Sequence, residues 1–299
     1  MCVTSQKLSI VTHFQPFSIN IRGKLHHFGR PQIMGIVNIT PDSFFSGSRT
    51  MASDDIKTRV EQMLMQGVDM FDIGAYSSRP GADDVSESEE CRRLHIGLEA
   101  LRQVAGNDIP VSVDTFRAKV AHEAISNMGA DIINDISGGN LDSEMFATVA
   151  ALKSPYILMH MRGTPATMQQ LCDYSAFQND ITAGVISELS GKIATLRQMG
   201  VSDVIVDPGF GFSKTMEQNY SLMKNLHFIS EAFNAPVLVG VSRKSMVCKA
   251  LNLTPAEALN GTTSLHTIAL MQGAAILRVH DVAEARQALT IVQHTYSSI

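Results

Sequence analysis

The chain alternates eight short apolar runs with eight stretches whose apolar residues recur at helical spacing. The apolar runs occupy residues 33–38, 70–74, 110–114, 132–134, 156–160, 204–207, 236–242 and 275–280. Short apolar runs bounded by turn residues are typical of buried strands, and nearly continuous ones indicate parallel strands covered on both faces. Eight strand–helix units predict an α/β protein, a single (β/α)8 TIM barrel. A doubly wound open sheet is the alternative, although no Gly-x-Gly-x-x-Gly turn follows an early strand.

A short segment precedes the predicted barrel. Residues 17–21 alternate apolar and polar side chains, and a second run at 25–28 follows Arg22, Gly23 and Lys24. This alternation around a short polar turn predicts a β-hairpin, which we expect to cap one end of the barrel. We therefore divide the chain into an N-terminal hairpin extension, residues 1–30, and a barrel, residues 31–299. The length of 299 residues suits one α/β barrel domain.

The composition argues against several classes of protein. With 24 Lys and Arg against 29 Asp and Glu, the net charge is −5. Nucleic-acid-binding domains normally carry a basic surplus, so we expect no nucleic-acid partner. The four cysteines lie far apart without a Cys-x-x-Cys pair, which favours reduced thiols over disulfides or a cysteine zinc site. We see no signal-peptide pattern and no apolar stretch of membrane-spanning length, and we predict a cytoplasmic location without membrane association.

Polar side chains with short hydrogen-bonding groups stand at the predicted strand ends. They are Asn38, Asp114, Asn134, His160, Asp207, Ser242 and His280. In a TIM barrel the active site lies at the carboxyl ends of the strands, so we expect this set to surround one pocket. The alternative is that polarity simply returns where a buried strand ends. For His160 alone, the two interpretations stay open.

Three of these side chains suit a flat, nitrogen-rich ligand. Asp114, Asn134 and Asp207 come from the third, fourth and sixth predicted strands, whose ends converge on one side of a barrel mouth. Carboxylate and amide oxygens accept hydrogen bonds. We therefore expect them to meet a ligand edge that presents paired N–H donors, such as an aminopyrimidine.

A second set of side chains is basic and suits phosphate. It comprises Arg79, Arg243, Lys244, Arg278 and His280. Arginine binds phosphate or diphosphate through paired hydrogen bonds. Asn38 offers a neutral oxygen to Mg²⁺, which is commonly held in part by substrate phosphates. Surface ion pairing is the alternative, and it is a stronger rival for Arg243 than for Arg278, which lies inside an apolar run.

Seven motifs, in this order along the chain, resemble those of the dihydropteroate synthases, folate-pathway enzymes of the pterin-binding barrel family. They are MGIVNITPDSF at 34–44, SRPG at 78–81, SVDT at 112–115, IND at 133–135, DPGFGF at 207–212, SRKS at 242–245 and RVHD at 278–281. Each motif alone is weak, but the ordered set spans nearly the whole chain and is very specific. One departure is Ser78, where many members have Thr; another is Ser213, where Gly is frequent.

The resemblance implies a reaction and a set of site residues. The reaction joins 4-aminobenzoate to 6-hydroxymethyl-7,8-dihydropterin diphosphate, requires Mg²⁺, and releases diphosphate and 7,8-dihydropteroate. The implied pterin-binding residues are Asp114, Asn134, Met159, Asp207, Phe212 and Lys244. The implied diphosphate-binding residues are Asn38, Ser78, Arg278 and His280, with Asn38 also meeting the metal. The implied 4-aminobenzoate-binding residues are Phe44, Ser78, Arg79, Pro80, Phe212 and Ser242.

The same resemblance implies catalytic roles, an assembly and an inhibitor class. Asp114, Asn38, Lys244, Arg278 and His280 are the implied catalytic residues. We expect a homodimer, formed through helices near the end of the barrel, and binding of sulfonamides that mimic 4-aminobenzoate. Two other interpretations remain: a folate-dependent methyltransferase of the same barrel family, and a non-catalytic pterin-binding paralogue. The methyltransferase would not need the Asn38 loop, the 78–81 motif or the pair formed by Arg278 and His280. The intact diphosphate-binding set argues against the paralogue.

Overall fold

Strand pairing in the computed structural model closes a barrel. The structure describes residues 13–39, 49–76 and 85–296. The barrel strands are β3 (Gln32–Asn38), β4 (Met70–Gly74), β5 (Val111–Asp114), β6 (Ile132–Asp135), β7 (Tyr156–Met159), β8 (Val204–Asp207), β9 (Leu238–Val239) and β10 (Ile276–Val279). From β3 to β8 each strand pairs in parallel with the next, and β10 pairs with both β9 and β3. A parallel bridge between Val206 and Val237 joins β8 to the start of β9. This circular order confirms the TIM barrel and rejects the doubly wound open sheet.

Helices connect the strands, as the helical spacing of the sequence predicted. In the described ranges they are α1 (Arg49–Met65), α2 (Glu87–Ala105), α3 (Ala118–Asn127), α4 (Met145–Leu152), α5 (Ile181–Gln198), α6 (Met216–Lys224), α7 (His227–Phe233), α8 (Ser245–Leu251), α9 (Leu259–Met271) and α10 (Val282–Tyr296). Short 3-10 turns at Met168–Gln170 and Ser175–Phe177 precede α5. Among the described residues, no helix is both long and apolar enough to span a membrane.

Local sequence explains where several helices begin. The Ser86 hydroxyl accepts a hydrogen bond from the Glu89 N–H at the start of α2, and the Asp180 carboxylate accepts two at the start of α5. Thr215 and Gln218 form a full capping box at α6. Each cap satisfies backbone donors that have no partner within the helix.

The interior of the barrel is arranged in layers, because alternate residues of a strand face the same side. The lowest inward-facing layer is apolar and consists of Met34, Met70, Ile132, Ile157, Ile205, Leu238 and Ile276. Two residues further along the same strands stand Ile36, Asp72, Asn134, Met159, Asp207, Gly240 and Arg278. From one side-chain layer to the next, the interior of the barrel therefore changes from apolar to largely polar. The polar layer lies nearer the carboxyl ends of the strands.

The N-terminal hairpin closes the apolar end of the barrel, as the sequence predicted for a cap. Strands β1 (Phe17–Ile21) and β2 (Lys24–Phe28) pair antiparallel, and β1 alternates buried and exposed residues. Its buried side chains, with Ile19 at 1% exposure, join the lowest apolar layer of the barrel. The connecting residues Arg22 and Gly23 have φ of 53° and 77°, the left-handed pair that a tight hairpin turn requires. The division of the chain at residue 30 stays a prediction.

This packing predicts that the hairpin contributes to the stability of the whole barrel. Ile19→Ala should lower the free energy of unfolding by about 2–5 kcal/mol, the usual loss for a buried isoleucine. Leu25→Ala, on the neighbouring strand at 68% exposure, is the matched control and should change it little. Urea denaturation of both variants measures the difference. Equal effects would show that the hairpin does not seal the core.

Candidate active site

Backbone register brings several predicted site residues to one rim of the barrel. Asn38 pairs with Gly74 across β3 and β4, Gly74 pairs with Asp114 on β5, and Asp114 pairs with Asn134 on β6. Asp207 ends β8 and Arg278 belongs to β10. The structure thus places five of the predicted site residues at one mouth.

Two ion pairs of Arg278 lie at the centre of this mouth. Its Nε donates to Asp72 Oδ2 at 2.5 Å, and its Nη2 donates to Asp114 Oδ2 at 2.7 Å. The arginine side chain is 19% exposed and Asp72 is fully buried. Burial opposes the charged form of the guanidinium, but the negative charges of Asp72 and Asp114 outweigh it and raise the pKa of Arg278. The guanidinium therefore stays charged and is held at two of its three nitrogens.

Asp72 is a site residue that sequence reasoning missed. Its Oδ2 also accepts a hydrogen bond from the Asn134 amide at 3.1 Å, so one carboxylate oxygen serves both Arg278 and Asn134. Its Oδ1 is buried and makes no hydrogen bond within the described part of the chain. A signal was present: Asp72 is a charged residue inside a strand whose five residues are all buried. A charge in such a place requires a partner.

The remaining charges at the mouth shift one another's pKa. Burial raises the pKa of Asp114 to about 7, with the Arg278 charge opposing the rise. Burial also raises the pKa of Asp207, and Lys244 opposes it. Burial lowers the pKa of Lys244 to about 8, against the charges of Asp207 and Asp114. Together with the charge of Asp72, these mutual effects indicate one electrostatic cluster of three carboxylates, a lysine and an arginine.

Lys244 is held in place by the loop after β8. Its Nζ donates to the Phe210 carbonyl at 2.7 Å and stands 4.7 Å from the centre of the Phe212 ring. The contact with Phe212 is a cation–π interaction. Phe210 itself is buried, so of these two rings it is Phe212 that can present an aromatic surface to the mouth.

The loop after β8 depends on a glycine and a buried lysine. Gly209 has φ of 70°, its N–H donates to Asp207 Oδ1 at 2.7 Å, and a Cβ there would lie 2.0 Å from the His160 carbonyl oxygen. Lys214, also missed from the sequence, donates to the carbonyls of Gly209 and Phe212 and to His160 Nδ1, each at 3.0 Å. Burial lowers the pKa of Lys214 to about 7. These bonds fix the position of Phe212 and of the Asp207 carboxylate.

An apolar wall lies beside the charged cluster. Met159, at 3% exposure, packs with Ile136, Met161 and Met168, and Phe212 packs against this group. A flat ligand between this wall and the carboxylates would meet an apolar face and a polar edge, the usual composition of a small-molecule pocket.

The last predicted residues at the rim are Asn38, Ser242 and His280. The Ser242 hydroxyl accepts a hydrogen bond from the His280 N–H at 3.2 Å, and Arg59 donates to the His280 carbonyl at 2.6 Å. These contacts join the residues that follow β9 and β10. The Asn38 side chain is exposed at the end of β3 and makes no hydrogen bond to any described residue.

Two candidates turn out to have structural partners. His160 is buried between Glu188, 2.9 Å from its Nε2, and Lys214. Burial and the Lys214 charge lower the pKa of His160 to about 4, so it is a neutral core histidine. Arg243 binds Asp281 through Nε at 2.8 Å and Nη2 at 2.9 Å. Surface ion pairing was therefore the right interpretation for Arg243.

Four predicted residues lie outside the described part of the chain. They are Phe44, Ser78, Arg79 and Pro80, which belong to the predicted 4-aminobenzoate set, and Ser78 also to the diphosphate set. Their roles stay predictions. The described members of the 4-aminobenzoate set are Phe212 and Ser242, and both lie at the mouth.

Comparisons with known proteins agree with this geometry. The family described as pterin binding enzyme matches residues 34–280. The dihydropteroate synthase of Synechocystis is 42% identical over 86% of this chain and 88% of its own length. The chain belongs to the dihydropteroate synthases. The Xanthomonas albilineans dihydropteroate synthase, solved with 4-aminobenzoic acid, is 34% identical, has a TM-score of 0.84, and is matched over 95% of this chain and 100% of that one. The Burkholderia cenocepacia enzyme, solved with 7,8-dihydropteroate, is 35% identical with a TM-score of 0.82 over 95% and 98%.

Membership of the dihydropteroate synthases confirms several predictions made from the motifs. The chain is an enzyme of folate biosynthesis, of the class that transfers alkyl groups. The comparisons therefore favour this family over the methyltransferase and the non-catalytic paralogue.

The pKa values at the mouth predict how a dihydropteroate synthase with this cluster depends on pH. As pH rises, kcat/KM should increase through about 7 while Asp114 ionises, and fall above about 8 while Lys244 loses its proton. The pH profile of kcat/KM reports groups of the free enzyme. Lys244→Arg should remove the alkaline fall, because a guanidinium keeps its charge. An unchanged alkaline limb in Lys244→Arg would contradict the assignment to Lys244.

Proposed function

We propose that this chain forms 7,8-dihydropteroate by departure of diphosphate from the pterin methylene, followed by attack of the 4-aminobenzoate amine. The observation that carries the proposal is the position of Arg278, which binds the carboxylates of Asp72 and Asp114 with two nitrogens. Its Nη1 makes no hydrogen bond to a described residue. One side chain therefore adjoins both the acidic cluster and the place where a leaving anion would lie.

The pterin would lie over the acidic cluster. Asp207 and Asn134 are 6% and 3% exposed, and buried acceptors of this kind bind paired N–H donors strongly. Asp207 Oδ1 already accepts the Gly209 N–H, which leaves Oδ2 for a ligand. Met159 and Phe212 supply the apolar surface for the ring. The Lys244 ammonium lies near Asp207, where it can donate to a ring carbonyl or nitrogen.

Charge develops in opposite directions at the two ends of the breaking bond. When the carbon–oxygen bond breaks, both electrons leave with the diphosphate and the pterin methylene becomes positive. Arg278 and His280 would stabilise the anion, while the Asp114 carboxylate would stabilise the cation. Groups fixed in advance toward developing charge are usually the largest single contribution to catalysis. The amine then forms the carbon–nitrogen bond with its lone pair, and the resulting ammonium releases its extra proton to solvent.

The residues present fit Mg²⁺ that arrives with the diphosphate. Asn38 presents an exposed amide oxygen at the strand end, with no described residue competing for it. Mg²⁺ usually keeps several waters and binds one or two protein oxygens together with substrate phosphates. When bound, the ion neutralises charge on the leaving diphosphate. Asn38 would orient it, and Arg278 and His280 would contact the phosphate oxygens from β10.

A homodimer and sulfonamide binding belong to the same proposal. Ile268 on α9 and Ile291 on α10 are 43% and 65% exposed, and these two helices pack against each other. A contiguous apolar patch across these two helices would mark an interface. Phe212 and Ser242, at the mouth, support a site for 4-aminobenzoate and for sulfonamides of similar shape.

The leaving-group assignment gives a direct test. Asn38→Ala should lower kcat by about 10²- to 10³-fold, the usual effect of removing one group that acts on developing charge. The unfolding free energy should not change, because the Asn38 side chain is exposed. Release of diphosphate with and without 4-aminobenzoate is the measurement, at several Mg²⁺ concentrations. Asn260→Ala, which removes an exposed amide outside the mouth, is the control. Near-normal turnover and Mg²⁺ dependence in Asn38→Ala would remove Asn38 from the mechanism.

A further inference from the structure

A second group of polar side chains lies at the end of the barrel away from the mouth. His13, His227 and Glu231 place one possible ligand atom each within 4.8 Å of the others. His13 precedes the hairpin and His227 and Glu231 belong to α7, before β9. We propose that these three side chains bind a divalent transition-metal ion of the Zn²⁺ type.

The two ligands on α7 have a sequence spacing that allows both to bind one ion. His227 and Glu231 are four residues apart on α7, so their side chains stand on the same face, one turn apart. An imidazole nitrogen and a carboxylate oxygen are both ordinary Zn²⁺ ligands. Two ligands on one short helix need little rearrangement to reach the same ion.

A neighbouring amide fixes which nitrogen of His227 is available. The Nδ1 of His227 lies 2.8 Å from Gln272 Oε1. With the Gln272 amide in this orientation, Nδ1 donates the proton and Nε2 keeps its lone pair for the ion. Metal-binding histidines almost always donate their other N–H to a group of this kind, which sets the tautomer and the ring orientation. This contact is independent of the spacing of the three ligands.

Backbone contacts hold the segment that carries the third ligand, His13. The His13 N–H donates to the Met271 carbonyl at 3.3 Å. Gly273 has φ of 91°, and a Cβ there would lie 2.7 Å from the His13 carbonyl oxygen, so the close approach of the two segments depends on glycine. The His13 ring stacks on the His227 ring, with 4.3 Å between centroids and 19° between the ring planes. An imidazole binds a metal in the plane of its ring, so the exposed His13 ring would turn out of this stack to reach an ion held by His227 and Glu231.

The ligand set selects the kind of ion. Two imidazole nitrogens and one carboxylate oxygen with an open fourth position suit Zn²⁺ and its neighbours, whereas Mg²⁺ prefers oxygen ligands. A bound ion would tie the segment before β1 to α7. Because β1 closes the apolar end of the barrel, the ion would strengthen the closure by the hairpin without taking part in the reaction at the mouth.

Titration calorimetry of the untagged full chain with Zn²⁺, after treatment with a chelator, tests the proposal. One ion per chain should bind. Gln272→Ala should weaken binding by about 10- to 100-fold, the usual effect of losing the partner of a ligating histidine. His13→Ala and Glu231→Gln should weaken it at least as much. His294→Ala, an exposed histidine outside the cluster, is the matched control and should leave the affinity unchanged.

Thermal unfolding distinguishes Zn²⁺ binding at this site from Zn²⁺ binding elsewhere on the chain. Zn²⁺ should raise the unfolding temperature of the native chain, because an ion that binds only the folded state stabilises it. It should not do so for His13→Ala, which removes an exposed side chain and leaves the fold intact. Saturable Zn²⁺ binding that keeps its affinity in His13→Ala and Glu231→Gln would overturn the proposal, and so would the absence of saturable binding to the native chain.

Discussion

A positive charge held between two carboxylates inside the barrel is the interaction on which the mouth of this barrel depends. Arg278 reaches from β10 to Asp72 on β4 and Asp114 on β5, and Asp72 also holds Asn134 on β6. Charges in a protein interior are tolerated only when they are paired and hydrogen-bonded. Neither the arginine nor Asp72 can therefore move alone, and the four side chains from four strands form one unit.

This unit explains how one pocket can stabilise positive charge at one end of a substrate and negative charge at the other. Asp207 and Lys244 belong to the same electrostatic cluster as Asp114 and Arg278. Strand β10, which carries the guanidinium, pairs with β3, which ends at Asn38. The apolar plug formed by the hairpin beneath the polar layer keeps water from the lower end of the barrel. Electrostatic interactions are stronger in such a partly water-excluded site than in bulk solvent. The fold thus supplies fixed charges of both signs before any substrate arrives.

Much of this arrangement could be predicted from the sequence, because strand ends and periodicity are local properties. Asn38, Asp114, Asn134 and Asp207 were predicted for that reason. Asp72 and Lys214 were missed because their importance depends on which side chains face them across the barrel, which local patterns do not record. Arg243 shows the converse, since only its distance to Asp281 distinguishes an ion pair from a phosphate ligand. The proposed metal ligands likewise come from two segments, His13 before the hairpin and His227 with Glu231 on α7, that only folding brings together.

The most direct test of the central claim is a double-mutant cycle between Asp72 and Arg278. The kcat/KM of dihydropteroate formation would be measured for the native chain, Asp72→Asn, Arg278→Gln and the double variant, and converted to free energies of activation. If Asp72 acts by holding Arg278, Asp72→Asn should raise the activation free energy strongly in the native chain and only slightly in the Arg278→Gln variant. The difference between these two effects, the coupling energy, should be about 0.5–3 kcal/mol. Additive losses would show that the two side chains act independently and would contradict the account.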